Sequence, residues 1–268
     1  MLYCSVNGQQ TNQIDVRDRA LQYGDGLFTT ALIQEGRIQL LKEHLQRLDA
    51  GSKALQIEVD LKSLEIDLVN CAKSYKEAVL KVTLSAGSGG RGYSRIGVSS
   101  PTVIIQVFDF PKHYHQWRSE GIALGVAKQK LGHASVLAGL KHLNRLEQVF
   151  IRQELDNLSV DDVLVLDIYD HLIEASSGNV FWCIGEQWFT AKITHAGVNG
   201  VMRNCIIEAL PSIQEVEVGL AALDEARAIV VTNSVMQMAP VKRYLNKPLS
   251  VEIATSFINT VKKRSDIN

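Results

Sequence analysis

The sequence predicts an α+β (mixed α/β) protein of two domains. The smaller N-terminal α/β domain spans 1–110, a linker spans 111–119 and a larger C-terminal domain spans 120–268. Three observations predict this. At 268 residues the chain is long enough for two cores. Segments of period two alternate with segments of helical period throughout. Asp109-Phe-Pro-Lys-His-Tyr-His115 interrupts that pattern near the middle. The second half is rich in strands, with hairpins and crossovers mixed, which favours a curved mixed sheet or pseudobarrel over a doubly wound sheet.

The elements follow in order. Leu2 to Val6 reads as a strand ending at the hairpin signal Asn7-Gly8. Phe28 to Ile33 and Arg37 to Leu41 flank the turn Gln34-Glu35-Gly36. Leu41, Leu45, Leu48 and Leu55 have helical spacing, which gives a helix from Lys42 to Leu55; Leu61 to Cys71 gives a second. Val79 to Leu84 alternates, and Thr102 to Phe108 reads as a strand buried on both faces. Between them, Ser85 to Ser94 is a glycine-rich loop whose backbone can approach a ligand.

Past the boundary, Ile122 to Val126 is a strand. Leu143, Leu146, Val149 and Phe150 mark one face of a helix. Val163–Leu166 and Leu172–Ala175 form a hairpin around Tyr169-Asp170, followed by a strand from Val180 to Ile184. Gly197 to Arg203 leads into a helix ending near Pro211, and Ala228–Thr232 is a buried strand stopping at Asn233-Ser234.

Composition narrows the function classes. The chain is 46% hydrophobic and 21% charged with 5 prolines, so it is ordered. A net charge of −1 offers no basic field for nucleic acid or an anionic membrane. No apolar run approaches the roughly 20 residues that span a bilayer. The N-terminal residues lack a basic start and apolar core, and Cys4, Cys71, Cys183 and Cys205 show no pairing or metal-ligand spacing. Reduced thiols and a cytoplasmic enzyme are the expectation. His113 and His115 could pair on a metal, but no third ligand is evident, so no metal is expected. The glycine loop lacks the Gly-Lys-Ser/Thr ending of a phosphate-binding P-loop, and no Gly-x-Ser-x-Gly elbow is present.

The most informative pair is Lys141, in Leu137-Ala-Gly-Leu-Lys-His-Leu-Asn-Arg145, and Glu174, opening Glu-Ala-Ser-Ser-Gly-Asn179. A lysine can form a Schiff base with a carbonyl, and a carboxylate can keep a pyridine nitrogen protonated; together these are handles for pyridoxal 5'-phosphate. Apolar Leu140 and Leu143 beside Lys141 would favour its neutral amine. Val198-Asn199 before a helix, Asn233-Ser234 at a strand end and Arg47 on a helix are candidates to cradle a phosphate. Each also has a plain reading, as a turn or a solvated charge.

These residues and their surroundings resemble the fold-type IV pyridoxal-phosphate enzymes, the class that contains branched-chain and D-amino-acid aminotransferases. The resemblance runs along nearly the whole chain. It rests on Asp18-Arg-Ala-Leu-Gln-Tyr-Gly-Asp-Gly-Leu-Phe-Thr-Thr30, Ser88-Gly-Gly-Arg-Gly-Tyr93, Gly139-Leu-Lys-His-Leu-Asn-Arg-Leu-Glu-Gln148, Glu174 to Asn179 and Gly197-Val-Asn-Gly-Val-Met-Arg203. Aminotransferases of the class usually read Phe-Glu-Gly where this chain has Phe28-Thr-Thr30, so the resemblance is nearest to the aminodeoxychorismate lyase branch.

By position, the resemblance implies that Lys141 is the Schiff-base lysine and Glu174 the partner of the pyridine nitrogen. Arg47, Val198, Asn199 and Ser234 would hold the phosphate. Thr30 would face the reacting centre and Arg91 would meet a substrate carboxylate. Arg145 stands where the family often places a tyrosine, so no role carries over to it. The implied fold has two α/β domains, the larger one a pseudobarrel carrying the lysine, with the site between them. The implied assembly is a homodimer whose partner chain helps to close the site. The implied reaction converts 4-amino-4-deoxychorismate to 4-aminobenzoate and pyruvate, toward folate. An aminotransferase on the same scaffold and a non-catalytic binding protein are the other readings.

Overall fold

The structure, a computed structural model, describes residues 1–134 and 136–265. It divides into two compact units, Met1–Phe110 with Lys141–Asn144, and Pro111–Leu140 with Arg145–Asn268.

In the first unit, the period-two segments become β1 (Tyr3–Val6), β2 (Gln9–Gln10), β3 (Gly26–Gln34), β4 (Arg37–Ile38), β5 (Glu77–Ser85) and β8 (Thr102–Asp109). They form one six-stranded antiparallel sheet in the order β2-β1-β8-β5-β3-β4. The helices are α1 (Arg19–Tyr23), α2 (Leu41–Ala54) and α3 (Leu61–Ala72). Alternate residues of a strand face opposite sides. Leu27, Ala31 and Ile33 of β3 and Ala78, Leu80, Val82 and Leu84 of β5 therefore join Leu48, Leu64 and Leu68 of the helices in one core. Phe28 and Thr30 face the other way and are only half-buried.

Two expectations change here. The stretch expected as a loop contains a two-stranded hairpin, β6 (Gly89–Arg91) with β7 (Ser94–Val98). Its glycines supply the turns and the strands supply their own pairing. Strand β8 is not buried on both faces; Ile104, Gln106 and Phe108 are half-exposed, because α2 and α3 cover the other side, that of Ile105 and Val107.

The second unit comprises α4 (His113–Glu120), β9 (Ile122–Val126), α5 (Leu146–Leu155), β10 (Asp162–Leu166), β11 (Leu172–Ala175), β12 (Asn179–Ile184), β13 (Gln187–Ala191), α6 (Val201–Ala209), β14 (Gln214–Val216), β15 (Ala228–Asn233), β16 (Gln237–Tyr244), β17 (Lys247–Pro248) and α7 (Val251–Arg264). Its nine strands run β11-β10-β9-β16-β15-β12-β13-β14, with β17 on β16, and combine parallel and antiparallel pairs. Strands β11 and β12 are far apart in that order yet are joined by three residues, and Ala175 pairs with Gly178. This short connection curls the sheet into the expected pseudobarrel. Inside it lie Ile122, Leu124, Leu164, Trp182, Ile229, Val231 and Val241. On the outside, Phe181 and Trp188 meet Phe257 of α7, with the Trp188–Phe257 ring centroids 3.8 Å apart.

Residues 111–119, expected as a linker, lie mostly in α4. Tyr114 and Trp117 pack on the second unit's core, and Arg118 donates to the carbonyls of Val235 and Met236 at 2.8 and 2.7 Å. Lys141, expected in the second domain, groups with the first unit. The Phe28 N–H donates to the Lys141 carbonyl at 2.9 Å, and the Leu143 N–H donates to that of Gly26 at 3.0 Å. The apolar spacing after Lys141 does not mark a core face. Leu146, Val149 and Phe150 of α5 are exposed, while Ile151 and Leu155 are buried. Among the described residues no helix is long and apolar enough to cross a membrane.

Candidate active site

Lys141 takes its place from β3. The segment Lys141–Asn144 lies along the start of that strand, where Leu27 bridges His142 and Asn144 Nδ2 donates to the Gly24 carbonyl at 3.2 Å. This sets Lys141 Nζ 4.8 Å from the centroid of the Phe28 ring, a cation–π distance. Thr30 lies two residues on, on the same half-buried face. Lys81 of β5 pairs with Thr30 across the sheet, and its Nζ stands 5.1 Å from the same ring. No local pattern singles out Lys81, because only the strand register brings it beside Phe28 and Thr30.

The intervening Thr29 points to the helices, where its hydroxyl bonds to His44 Nδ1 at 2.6 Å. His44 is fully buried, and its Nε2 has no hydrogen-bond partner among the described residues. Burial first, then the positive charges of Arg47 and Lys141, depress its pKa to about 3. His44 is therefore neutral at ordinary pH. Arg47 lies one helical turn further along α2, half-buried. The one sequence signal for His44 is its spacing of three from Arg47 on the same helix.

In the second unit the motif from Glu174 to Asn179 braces one loop. Glu174 is buried, and its Oε2 accepts the Val198 N–H at 2.9 Å. Asn179 Nδ2 donates to the Val198 carbonyl at 2.9 Å. The two ends of the motif thus hold the peptide groups on either side of Val198. Between them, buried Asp162 accepts from Ser176 and Ser177, which fixes the turn; burial raises its pKa against the lowering effect of those bonds. Gly139, two residues before Lys141, bonds the same loop: its N–H donates to Gly197 and its carbonyl accepts from Asn199, both at 3.0 Å.

Asn199 Oδ1 accepts from Arg203 Nη1 at 3.1 Å, and buried Arg203 also bonds the Ala191 carbonyl at 2.8 Å and the Glu215 carboxylate. Ser234 follows β15 in a turn capped by Asn233, whose Oδ1 accepts the Val235 and Met236 N–H groups at 2.9 and 2.6 Å. Arg145 donates to the Leu140 carbonyl at 2.9 Å. Its pKa is lowered by burial, against the raising effect of the Glu174 and Glu147 carboxylates.

Arg91 ends β6 and is exposed; among the described residues its guanidinium has no hydrogen-bond or ion-pair partner. Arg19, also in a quoted motif, is buried beneath the hairpin.

Residues 26–244 match the family described as Amino-transferase class IV. The chain belongs to that family. It is 36% identical to the aminodeoxychorismate lyase of Vibrio harveyi over 88% of this chain and 89% of that protein. The crystal structure of 4-amino-4-deoxychorismate lyase from Pseudomonas aeruginosa matches with a TM-score of 0.87 at 30% identity, covering 97% of this chain and 98% of that one. A hypothetical aminotransferase from Mycobacterium tuberculosis, solved in a PLP-bound form, shares the fold with a TM-score of 0.84 at 19% identity, covering 98% of both chains. The class IV fold includes both aminotransferases and lyases and depends on pyridoxal phosphate.

The residues of this class IV chain fit that cofactor. Helix α6 starts at Gly200 with no side-chain cap, so its first turn presents backbone N–H groups and the positive end of its dipole. A Cβ at Gly200 would lie 2.0 Å from Asn179 Oδ1, so only backbone occupies that approach. The first unit offers an amine on Lys141 and a guanidinium on Arg47, and the second a buried carboxylate on Glu174, the group types that an aldehyde, a phosphate and a pyridine nitrogen require.

Proposed function

We propose that this chain is an aminodeoxychorismate lyase, converting 4-amino-4-deoxychorismate to 4-aminobenzoate and pyruvate, a step toward folate. One observation carries the reading. Lys141 Nζ stands over Phe28 on the sheet face that presents Thr30, where aminotransferases of the family have a glycine. The similarity to two lyases across nearly the whole chain supports it.

In this reading Lys141 attaches the cofactor. Glu174, already held by the Val198 N–H, is the acceptor for the pyridine nitrogen. The Val198–Asn199 loop, Ser234 and Arg47 take the phosphate. When bound, the cofactor supplies an electron-poor ring that withdraws charge from the substrate carbon bearing nitrogen. Lys141, as a free amine, removes the proton from that carbon. The carbon–oxygen bond to the enolpyruvyl group then breaks, and Lys141 returns a proton to the departing fragment, which becomes pyruvate. The Thr30 hydroxyl assists at that oxygen. Aromatisation of the remaining ring makes the step downhill. Arg91, exposed and unpaired, takes one of the substrate's two carboxylates.

The chain acts as a homodimer in the cytoplasm in this reading; the exposed Leu146, Val149 and Phe150 face of α5 is the surface that a second copy would cover. Light scattering in solution reads the mass directly.

The decisive experiment supplies aminodeoxychorismate to the enzyme loaded with pyridoxal phosphate. Stoichiometric 4-aminobenzoate and pyruvate support the lyase. Amine exchange between an amino acid and a keto acid, without 4-aminobenzoate, would replace it by the aminotransferase reading.

A further inference from the structure

The hairpin β6–β7 stands outside the six-stranded sheet. A lone two-stranded hairpin is marginal in water and needs a brace. The brace here is a cluster of charge built on one buried arginine. Arg19 is 3% exposed. Its Nη1 donates to the Gly92 and Ser94 carbonyls and its Nη2 to that of Tyr93, all at 3.2 Å. Three successive carbonyls of the hairpin turn therefore converge on one guanidinium. A Cβ at Gly90, where φ is +78°, would lie 2.5 Å from the Ser94 carbonyl oxygen and 3.3 Å from Arg19 Nη1, so the glycine lets the guanidinium reach the turn.

Asp25 completes the cluster. Its Oδ2 accepts from Arg19 Nε at 2.7 Å and Arg95 Nε at 3.0 Å, and its Oδ1 accepts from Arg95 Nη2. Arg95 Nη1 reaches the Leu55 and Gln56 carbonyls at 2.6 and 3.2 Å. Burial alone would raise the Asp25 pKa, but the bonds from Arg95 and Arg19 outweigh it and hold the carboxyl below its usual range. Asp25 also lies between Gly24 and Gly26, whose carbonyls accept from Asn144 and Leu143. The stretch that anchors the Lys141 segment is thus the stretch that anchors the hairpin. Of the arginines at the hairpin, Arg19 and Arg95 are fully engaged and Arg91 is left exposed.

We propose that Arg19, Asp25 and Arg95 are positioning residues for substrate recognition: their clamp fixes the β6–β7 hairpin and so sets the reach of Arg91 toward an anionic substrate. The proposal rests on the lyase reading for the identity of that substrate. The clamp touches no reacting atom, and the Lys141 segment is held by backbone groups of Gly24, Gly26 and Phe28 rather than by the Asp25 carboxylate, so the clamp governs binding and not the proton transfers of Lys141.

The test uses Asp25→Asn and the milder Arg95→Lys in the cofactor-loaded enzyme, which keeps the experiment informative if Asp25→Asn folds poorly. KM for aminodeoxychorismate is expected to rise by about tenfold or more, with kcat changed by less than about threefold. Amide hydrogen exchange across residues 89–98 should accelerate while that of β3 and β5 does not. Combining either change with Arg91→Ala should add little to the KM of Arg91→Ala alone, because both act through one contact. A fall in kcat at unchanged KM, or KM effects that multiply in the double variant, would overturn the proposal. So would unaltered exchange across the hairpin. Absence of lyase turnover in the unaltered enzyme strikes the lyase reading instead, and the exchange measurement still decides whether the clamp holds the hairpin.

Discussion

The two units hold their candidate residues by different means. In the second unit, backbone and braces dominate. Val198 is bonded at its N–H by Glu174 and at its carbonyl by Asn179, Gly139 bonds the same loop on both sides of Val198, and Arg203 holds Asn199. In the first unit, side chains project from a regular sheet: Phe28, Thr30 and Lys81 on one face, Lys141 above it, and Arg91 on a clamped hairpin. The braced loop commits its own N–H groups to Glu174 and Gly139 and so fixes the start of α6, whose uncapped first turn suits an anion that never changes. Side chains on a strand can be exchanged without disturbing the ladder, which suits a substrate that differs between enzymes of one family. The difference teaches where variation in chemistry can be accommodated.

This contrast can be broken experimentally. The largest effect belongs to Lys141→Ala, which should lower kcat by about a thousandfold or more. Borohydride reduction should fix the cofactor on the Lys141 peptide of the unaltered enzyme only; near-normal turnover in the variant would sink the assignment. Thr30→Val keeps the strand-forming shape and removes the hydroxyl. It should lower kcat by roughly tenfold to a hundredfold with cofactor affinity unchanged, as measured by steady-state kinetics and cofactor titration.

Gly200→Ala probes the other region. Its Cβ would collide with Asn179. A loss of about 1–3 kcal/mol in stability is expected, together with weaker cofactor binding, seen by thermal unfolding with and without the cofactor. If Thr30→Val loosened the cofactor and Gly200→Ala did not, the division between the two regions would fail.

The smallest effect is a slope. His44 has a folded pKa of about 3 against 6.5. The unfolded chain therefore takes up the proton first as pH falls. The stability that this histidine contributes is complete above 6.5 and is lost between 6.5 and about 3, by at most about 1.4 kcal/mol per pH unit. His44→Gln should flatten the fall of the denaturation midpoint over that range. Parallel curves would mean that His44 is not held neutral.

Much of this was legible in the sequence because periodicity carries it. The helix expected from Lys42 to Leu55 is Leu41–Ala54, and the turns at Asn7-Gly8 and Glu35-Gly36 form where expected, with Asn7, Gly8 and Gly36 in the positive-φ region that suits them. Misreadings came where local pattern and tertiary context part. The glycine run at 87–92 allows a loop and a hairpin equally well; what selects the hairpin is Arg19, some 70 positions away from the carbonyls it binds. Leu146, Val149 and Phe150 share a helical face, but periodicity reports an apolar face without saying what covers it. Residues 111–119 contain a proline and two histidines, yet Tyr114 and Trp117 find a core to pack on and form a helix.

Local sequence pattern is enough for the mixed architecture, most of the elements and, through motif resemblance, the cofactor class. Alternation and helical spacing are local properties, and the motifs around Lys141 and Glu174 are recognisable by residue type and neighbours. Local pattern does not tell that Lys141 groups with the first unit, that Lys81 stands beside Thr30, that Thr29 faces away to a neutral His44, or that Arg19 is buried against the hairpin turn. Each of these depends on strand register or on a hydrogen bond between residues distant in the chain, which no local pattern encodes.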